Sequence, residues 1–137
     1  MKRDTYFDKY LEIIREYPHL TRAEERILIV RAREGDLRAR DTLIHAHLPL
    51  VVKIAAAYAT PDNLFDIVQE GNKSLVEKTD RYDPSRGKFA TFATKVIRNA
   101  ILDRLRERRE YPYAEEFLDT IHNTQEKNTE LEKIIDF

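Results

Sequence analysis

Residues 64–75 read Leu64-Phe-Asp-Ile-Val-Gln-Glu-Gly-Asn-Lys-Ser-Leu75, and this stretch decides the fold class. Apolar or small residues at positions 64, 68, 71 and 75 are three or four residues apart, which places them on one face of an α-helix. Gly71 costs about 1 kcal/mol in a helix interior relative to alanine. The sequence therefore predicts a helix that a neighbouring element approaches closely at Gly71.

Start and stop signals predict four helices before this one. Thr21-Arg-Ala-Glu24 has the pattern of a capping box at the start of the second helix, and Gly35 is placed to end it. Because Pro49 cannot continue a helix, a third helix breaks near His47 and a fourth begins with Pro49 in its first turn. The remaining signals are the periodic residues Phe7, Tyr10, Leu11 and Ile14, and the helix-ending prolines Pro18 and Pro61.

Downstream, turn residues over Tyr82-Asp-Pro-Ser-Arg-Gly87 predict a loop. A sixth helix is predicted from Ala90 to about Arg109, and one or two short helices around 115–121 and 126–135. The residues expected to face inward on the sixth helix are Phe92, Val96, Ala100 and Leu105. The expected fold is an all-α, compact single-domain bundle of about six helices over 1–110, followed by an acidic tail or short helical extension over 111–137.

Composition limits the classes of protein that this chain can belong to. The 137 residues leave room for one ordinary domain, and 42% hydrophobic with 36% charged residues suits amphipathic helices. The absence of cysteine excludes disulfides and thiolate metal sites. Neither an apolar run of about 20 residues nor a signal-peptide core occurs. We therefore expect a soluble cytoplasmic protein without a membrane partner.

The net charge of −1 conceals an uneven distribution. Residues 1–80 are nearly neutral, residues 81–110 carry nine basic and four acidic side chains, and residues 111–137 carry two basic and seven acidic ones. A basic segment of this kind is typical of a polyanion-binding face. Charge alone is equally compatible with a solvated helix face followed by an acidic tail.

Two stretches carry a specific resemblance. The first is Asp66-Ile-Val-Gln-Glu-Gly-Asn72, and the second is Tyr82-Asp-Pro-Ser-Arg-Gly-Lys-Phe-Ala-Thr-Phe-Ala-Thr94, followed by Ile97-Arg-Asn-Ala-Ile101. Together they resemble the second conserved region of bacterial RNA polymerase sigma factors of the sigma-70 family. With Leu20-Thr-Arg-Ala-Glu-Glu25 and Leu48-Pro-Leu-Val-Val52, the resemblance covers about residues 5–108. It implies a transcription initiation factor that binds core RNA polymerase and captures melted minus-ten promoter DNA.

The resemblance also implies roles for individual residues. The polar face of the fifth helix would bind the coiled coil of the polymerase clamp, through Asp66, Gln69, Glu70 and Asn72, with Val76 beside them. The loop and sixth helix would capture unpaired non-template DNA through Tyr82, Asp83, Arg86, Lys88, Phe92, Thr94 and Lys95, with Arg98 and Asn99 facing the duplex edge. Aromatic rings interleaved with cations suit this chemistry, because each stacked base contributes about 1–3 kcal/mol. Phe89 is expected in the core.

Several residues depart from the family pattern. Lys95 and Val96 stand where housekeeping members carry two tryptophans, which puts autonomous promoter melting in doubt. One residue is missing between Gly87 and Lys88, and His47 and Leu102 replace a usual asparagine and threonine. The 28 residues after Arg109 are too few for the further promoter-reading domains that normally follow.

These departures leave alternatives open. The chain is a minimal or phage-like sigma factor, one half of a split sigma whose partner subunit supplies the missing domain, or a decoy that occupies the clamp and inhibits transcription. An anti-sigma factor is a further conceivable partner. No sequence motif indicates an enzyme, and neither a cofactor nor a metal is expected. His45 and His47 are two residues apart, which puts them on different faces of a helix, and no glycine-rich phosphate loop or nucleophile motif occurs.

Overall fold

The computed structural model describes residues 5–109, and the helices and acidic tail predicted over 111–137 lie outside them. Within this range the fold is all-α, as predicted. Six helices follow one another: α1 Thr5–Arg15, α2 Arg22–Arg33, α3 Leu37–Ala46, α4 Leu48–Tyr58, α5 Leu64–Lys78 and α6 Phe89–Arg109. Short 3₁₀ turns at Thr79–Arg81 and Pro84–Arg86 connect α5 to α6. No helix in the described range is both long and apolar enough to span a bilayer.

The ends of α2 confirm the predicted signals. The Thr21 hydroxyl accepts a hydrogen bond from the Glu24 amide, and the Glu24 carboxylate accepts one from the Thr21 amide, both at 3.1 Å. At the other end Gly35 has a φ of +99°, and the amides of Gly35 and Asp36 donate to the Ala32 and Arg31 carbonyls. This is the Schellman arrangement that glycine favours after a helix.

The junction of α3 and α4 also forms where it is predicted. His47 ends α3, and Pro49 lies in the first turn of α4, where a missing amide proton costs no hydrogen bond. Nδ1 of His47 is 2.7 Å from the Leu43 carbonyl, and Nε2 is 3.5 Å from the Glu25 carboxylate on α2. The imidazole therefore lies between α2 and the junction of α3 and α4.

The core lies where α4, α5 and α6 pack against one another. Gly71 faces this contact on α5: a Cβ atom there would lie 2.8 Å from Val51 Cγ1 and 3.2 Å from Ile97 Cγ2. The predicted close approach at Gly71 is confirmed, and α4 and α6 are the elements that make it. The helix α1 adds its apolar residues Phe7, Leu11 and Ile14 to the same core.

The predicted inward face of α6 is wrong by one residue over most of the helix. The fully buried row consists of Phe89, Ala93, Ile97, Ile101 and Leu105. Of the four residues expected to face inward, only Leu105 belongs to this row; Phe92, Val96 and Ala100 are half-buried. The register follows from the neighbouring helices, because Ile97 and Ile101 fill the space that Gly71 leaves open.

Candidate functional site

A groove rich in cationic side chains lies between the loop before α6 and the first two turns of α6. We call it the cationic groove, and its volume is about 510 Å³. The residues that line it are Arg81, Tyr82, Asp83, Arg86, Gly87, Lys88, Thr91, Phe92 and Lys95. Four of these side chains are cations and one is a carboxylate, so the groove favours an anionic ligand.

Two aromatic rings, Tyr82 and Phe92, form the apolar wall of the cationic groove, and the ring of Phe89 packs behind them. The Tyr82 ring lies 5.1 Å from the ring of Phe89 in an edge-on arrangement and 5.4 Å from the ring of Phe92. Phe89 is fully buried, which confirms its expected place in the core, whereas Phe92 and Tyr82 are half-buried. The buried Phe89 ring thus supports two rings that remain partly accessible from the groove.

Hydrogen bonds within the loop fix its shape. The Tyr82 hydroxyl donates to the Gly87 carbonyl at 2.6 Å, which closes residues 82–87 into a compact turn. The Asp83 carboxylate accepts from the Ser85 amide at 3.0 Å and from the Ser85 hydroxyl at 2.7 Å. The side-chain bond and then the backbone bond from Ser85 hold the pKa of Asp83 below its usual value. Gly87, with a φ of +143°, adopts a conformation that side-chain-bearing residues rarely take.

Within residues 5–109, the cations of the groove are mostly not neutralised by ion pairs. The closest approach is Nε of Arg86 to the Asp83 carboxylate at 3.9 Å, and the Arg86 side chain remains 88% exposed. Lys88 and Lys95 are also exposed. Since an exposed pair at this distance is worth little, Arg86 remains available to an anionic ligand.

A second surface, the outer face of α5, lies opposite the residues that pack into the core. Gln69, Lys73 and Val76 are exposed there at helical spacing, and Glu70 is half-buried beside them. Two residues assigned to this face from the sequence contact other helices instead. Asp66 lies 3.5 Å from the Arg104 guanidinium on α6, and the Asn72 amide donates to the Tyr10 hydroxyl on α1 at 2.8 Å.

Comparison of the chain with known proteins identifies the family to which it belongs. A family model described as Sigma-70 region 2 matches residues 43–111, half of the chain. The chain belongs to the sigma-70 region 2 family. It is also similar to two curated proteins named RNA polymerase sigma factor SigA: 44% identical over 94 residues to that of Clostridium acetobutylicum, and 43% identical over 94 residues to that of Listeria monocytogenes.

Each of these alignments covers 67% of this chain and 25% of the relative. The chain thus spans about a quarter of the length of the curated relatives it matches. Membership of the family confirms the resemblance to sigma-70 factors that the sequence motifs indicated. It also confirms that the chain is not an enzyme, because sigma factors are a non-enzymatic family.

The sigma-70 region 2 match contains every residue predicted to bind polymerase or DNA. The structure brings six of the predicted DNA-binding residues together around the cationic groove: Tyr82, Asp83, Arg86, Lys88, Phe92 and Lys95. The Thr94 hydroxyl donates to the Ala90 carbonyl at 2.8 Å, so it is engaged within α6. Arg98 and Asn99 are exposed one turn beyond the groove.

Three residues that line the groove were not among those predicted to bind DNA: Arg81, Thr91 and Gly87, which was predicted only as part of the loop. Arg81 ends the 3₁₀ turn before the loop, and Thr91 lies one residue before Phe92 on α6. A signal for Arg81 was present, because the basic block of the sequence begins at this residue. Thr91 carried no such signal, since its place beside Lys88 and Lys95 follows only from the register of α6.

Proposed function

We propose that this chain is the part of a sigma-type transcription initiation factor that binds core RNA polymerase and captures the melted minus-ten element of a promoter. Polymerase would contact the outer face of α5. Unpaired non-template DNA would enter the cationic groove. The observation that carries the proposal is the position of two accessible aromatic rings, Tyr82 and Phe92, among four cations.

The cationic groove has the chemistry that unpaired bases need. A base flipped from a duplex loses a few kcal/mol of pairing and stacking. Stacking on an aromatic ring returns about 1–3 kcal/mol per base, while cations bind the flanking phosphates. The Tyr82 and Phe92 rings, 5.4 Å apart, provide such a platform, and Arg86 and Lys88 lie at the same groove.

The outer face of α5 suits a protein partner better than a nucleic acid. It presents the amide of Gln69, the partly buried carboxylate of Glu70 and the apolar side chain of Val76, which is 44% exposed. An apolar centre with hydrogen-bonding groups around it is the usual composition of a protein interface. The contacts of Asp66 and Asn72 with other helices support a positioning role for these two residues, which would hold α5 in place.

The first experiment tests polymerase binding. Core RNA polymerase is retained by immobilised chain, and wild type is compared with Gln69→Ala/Glu70→Lys. We expect binding by wild type and its loss in the double variant, because the two substitutions remove a hydrogen-bonding group and reverse a charge on the outer face of α5. Glu16→Lys is the control, since it makes the same charge reversal at an exposed position in the turn after α1. Equal retention of all three proteins would contradict this assignment.

The second experiment tests DNA capture. Transcription from a template with a pre-melted minus-ten element is measured with core polymerase and either wild type or Phe92→Ala. We expect the variant to lose most of the activity while it still binds polymerase. If wild type binds polymerase but supports no transcription from this template, the chain is a decoy of the clamp and the proposed DNA role is wrong.

A further inference from the structure

The acidic segment, residues 111–137, matches the cationic groove in charge. Residues 119–137 contain five acidic side chains against two lysines, a net charge of −3. The groove carries four cations and one carboxylate, a net charge of +3. The acidic side chains are Asp119, Glu126, Glu130, Glu132 and Asp136. Residues 119–137 and the groove therefore carry opposite net charges of equal size, and the whole acidic segment, at −5, is opposite in sign to the groove.

The acidic segment also has apolar side chains for the aromatic wall of the groove. Large apolar residues separate its acids: Ile121, Leu131, Ile134, Ile135 and Phe137. Tyr82 and Phe92 expose part of their rings to the groove. A ligand that combines carboxylates with apolar groups satisfies both the cations and the rings, as a nucleotide does with its phosphate and base.

The length of the chain allows this contact. Helix α6 ends at Arg109, and Lys95 lies 14 residues earlier, which is about 21 Å along the helix axis. Lys88, the residue directly before α6, lies about 31 Å from Arg109 by the same geometry. An extended chain spans about 3.3–3.6 Å per residue, so residues from about 119 onward can reach Lys95 and Lys88.

We infer that the acidic segment occupies the cationic groove when no nucleic acid is bound, so that the segment and single-stranded DNA compete for the same cations. The inference that the segment occupies the groove depends only on the charge, the apolar residues and the length of the segment. The competition rests on the proposed function. Because the segment is tethered, its effective concentration at the groove is on the order of millimolar, and weak contacts suffice for occupancy.

The first test is a direct measurement of contact in the full-length chain. A carbodiimide joins lysine amines to carboxylates that touch them, and mass spectrometry of the monomeric product identifies the joined residues. We expect bonds between Lys95 and acids of residues 119–137, and their loss in excess single-stranded oligonucleotide. Lys73, exposed on the outer face of α5, reports random collisions, and Lys95→Arg keeps the charge while removing the reactive amine.

The second test measures affinity for a single-stranded oligonucleotide by fluorescence anisotropy. One variant converts the five acids of 119–137 to their amides. The matched control converts five exposed acids outside the groove, Glu12, Glu16, Asp41, Asp62 and Glu77. Both change the net charge from −1 to +4. If the groove is open in about a tenth of wild-type molecules, the first variant binds about tenfold more tightly than the control.

The outcomes are distinguishable. Bonds at Lys95 together with tighter binding by the segment variant support the inference. Equal affinity of both variants without a bond at Lys95 overturns it. Bonds at Lys88 alone also overturn it, because Lys88 lines a second groove, against α2, that Lys95 does not reach. Bonds at Lys95 in a chain that binds no oligonucleotide in any variant would support the occupancy and overturn the proposed DNA role instead.

Discussion

The hydroxyl of Tyr10 on α1 accepts a hydrogen bond from the Asn72 amide on α5, with 2.8 Å between the two atoms. The bond is half-buried and joins residues 62 positions apart in the chain. A hydrogen bond of this kind contributes about 0.5–1.5 kcal/mol net. We expect Tyr10→Phe and Asn72→Ala each to lower the free energy of unfolding, with a coupling energy of about 1 kcal/mol in a double-mutant cycle. Additive losses, measured by urea denaturation, would contradict the contact.

The same tyrosine predicts a dependence of stability on alkaline pH. Burial raises the pKa of Tyr10 above its usual value of 10.0, and the hydrogen bond from Asn72 lowers it by a smaller amount. A pKa raised by folding means that the folded state binds the phenolic proton more tightly than the unfolded state. This contribution is fully present below pH 10 and is lost as the pH rises through the folded pKa. Above pH 10, we therefore expect the free energy of unfolding of Tyr10→Phe to fall less steeply with pH than that of wild type. Unfolding followed by circular dichroism measures this.

A side chain at position 71 is expected to destabilise the fold. Alanine there would gain about 1 kcal/mol of helix propensity, but its Cβ atom would lie 2.8 Å from Cγ1 of the fully buried Val51. Overpacking of this kind costs about 1–3 kcal/mol, so we expect a net loss of about 1 kcal/mol in the free energy of unfolding. In Gly71→Ala/Val51→Ala the clash with Val51 Cγ1 is absent, and the 3.2 Å contact with Ile97 Cγ2 remains. The loss in the double variant should therefore be smaller than the sum of the single losses, and strict additivity would refute the explanation.

The boundaries of the helices could be predicted because each is encoded within a few residues. The capping box at Thr21, the glycine at position 35 and the proline at position 49 act through their own backbone and nearest neighbours. The inward face of α6 could not be predicted in this way. Apolar or small residues occur at helical spacing in two adjacent rows, one through Phe92 and Val96 and the other through Ala93 and Ile97. Only the contact with α4 and α5 selects the second row.

The candidate site was predicted in part for the same reason. The aromatic and basic residues of the groove lie within one short segment, so their types and order were visible in the sequence. The partners of Asp66 and Asn72 were not, because Arg104 and Tyr10 lie far away in the chain. The sequence showed a polar helix face, and the structure divides this face into residues that contact other helices and residues that remain exposed.

The register of α6 makes a direct prediction for two adjacent residues. Ile97 is fully buried and faces Gly71, whereas Val96 is half-buried. Truncation of a buried isoleucine to alanine costs about 2–5 kcal/mol, so Ile97→Ala should destabilise the fold strongly. Val96→Ala is the matched variant and should cost about 1 kcal/mol or less. Urea denaturation of both proteins checks the prediction. A larger loss of unfolding free energy for Val96→Ala would contradict it and support the inward face expected from the sequence.

The hydroxyl of Tyr82 makes a prediction that separates loop shape from base stacking. It donates to the Gly87 carbonyl at 2.6 Å, while the ring lines the cationic groove. Tyr82→Phe keeps the ring and removes the bond that closes the loop, which is worth about 1 kcal/mol. We expect the affinity for a single-stranded oligonucleotide to fall about twofold to fivefold, corresponding to 0.4–1 kcal/mol. Phe92→Ala removes a stacking ring and should weaken the binding free energy by about 1–3 kcal/mol.

The control for this comparison is Tyr58→Phe, which removes the same hydroxyl group from α4, outside the groove. Its affinity for the oligonucleotide should equal that of wild type. The order of affinities is then wild type and Tyr58→Phe, followed by Tyr82→Phe, followed by Phe92→Ala. If Tyr82→Phe binds as tightly as wild type while Phe92→Ala does not, the rings bind DNA without any need for the closed loop. If Phe92→Ala also binds as wild type does, the groove acts through its cations alone, because a phosphate contact does not require an aromatic ring.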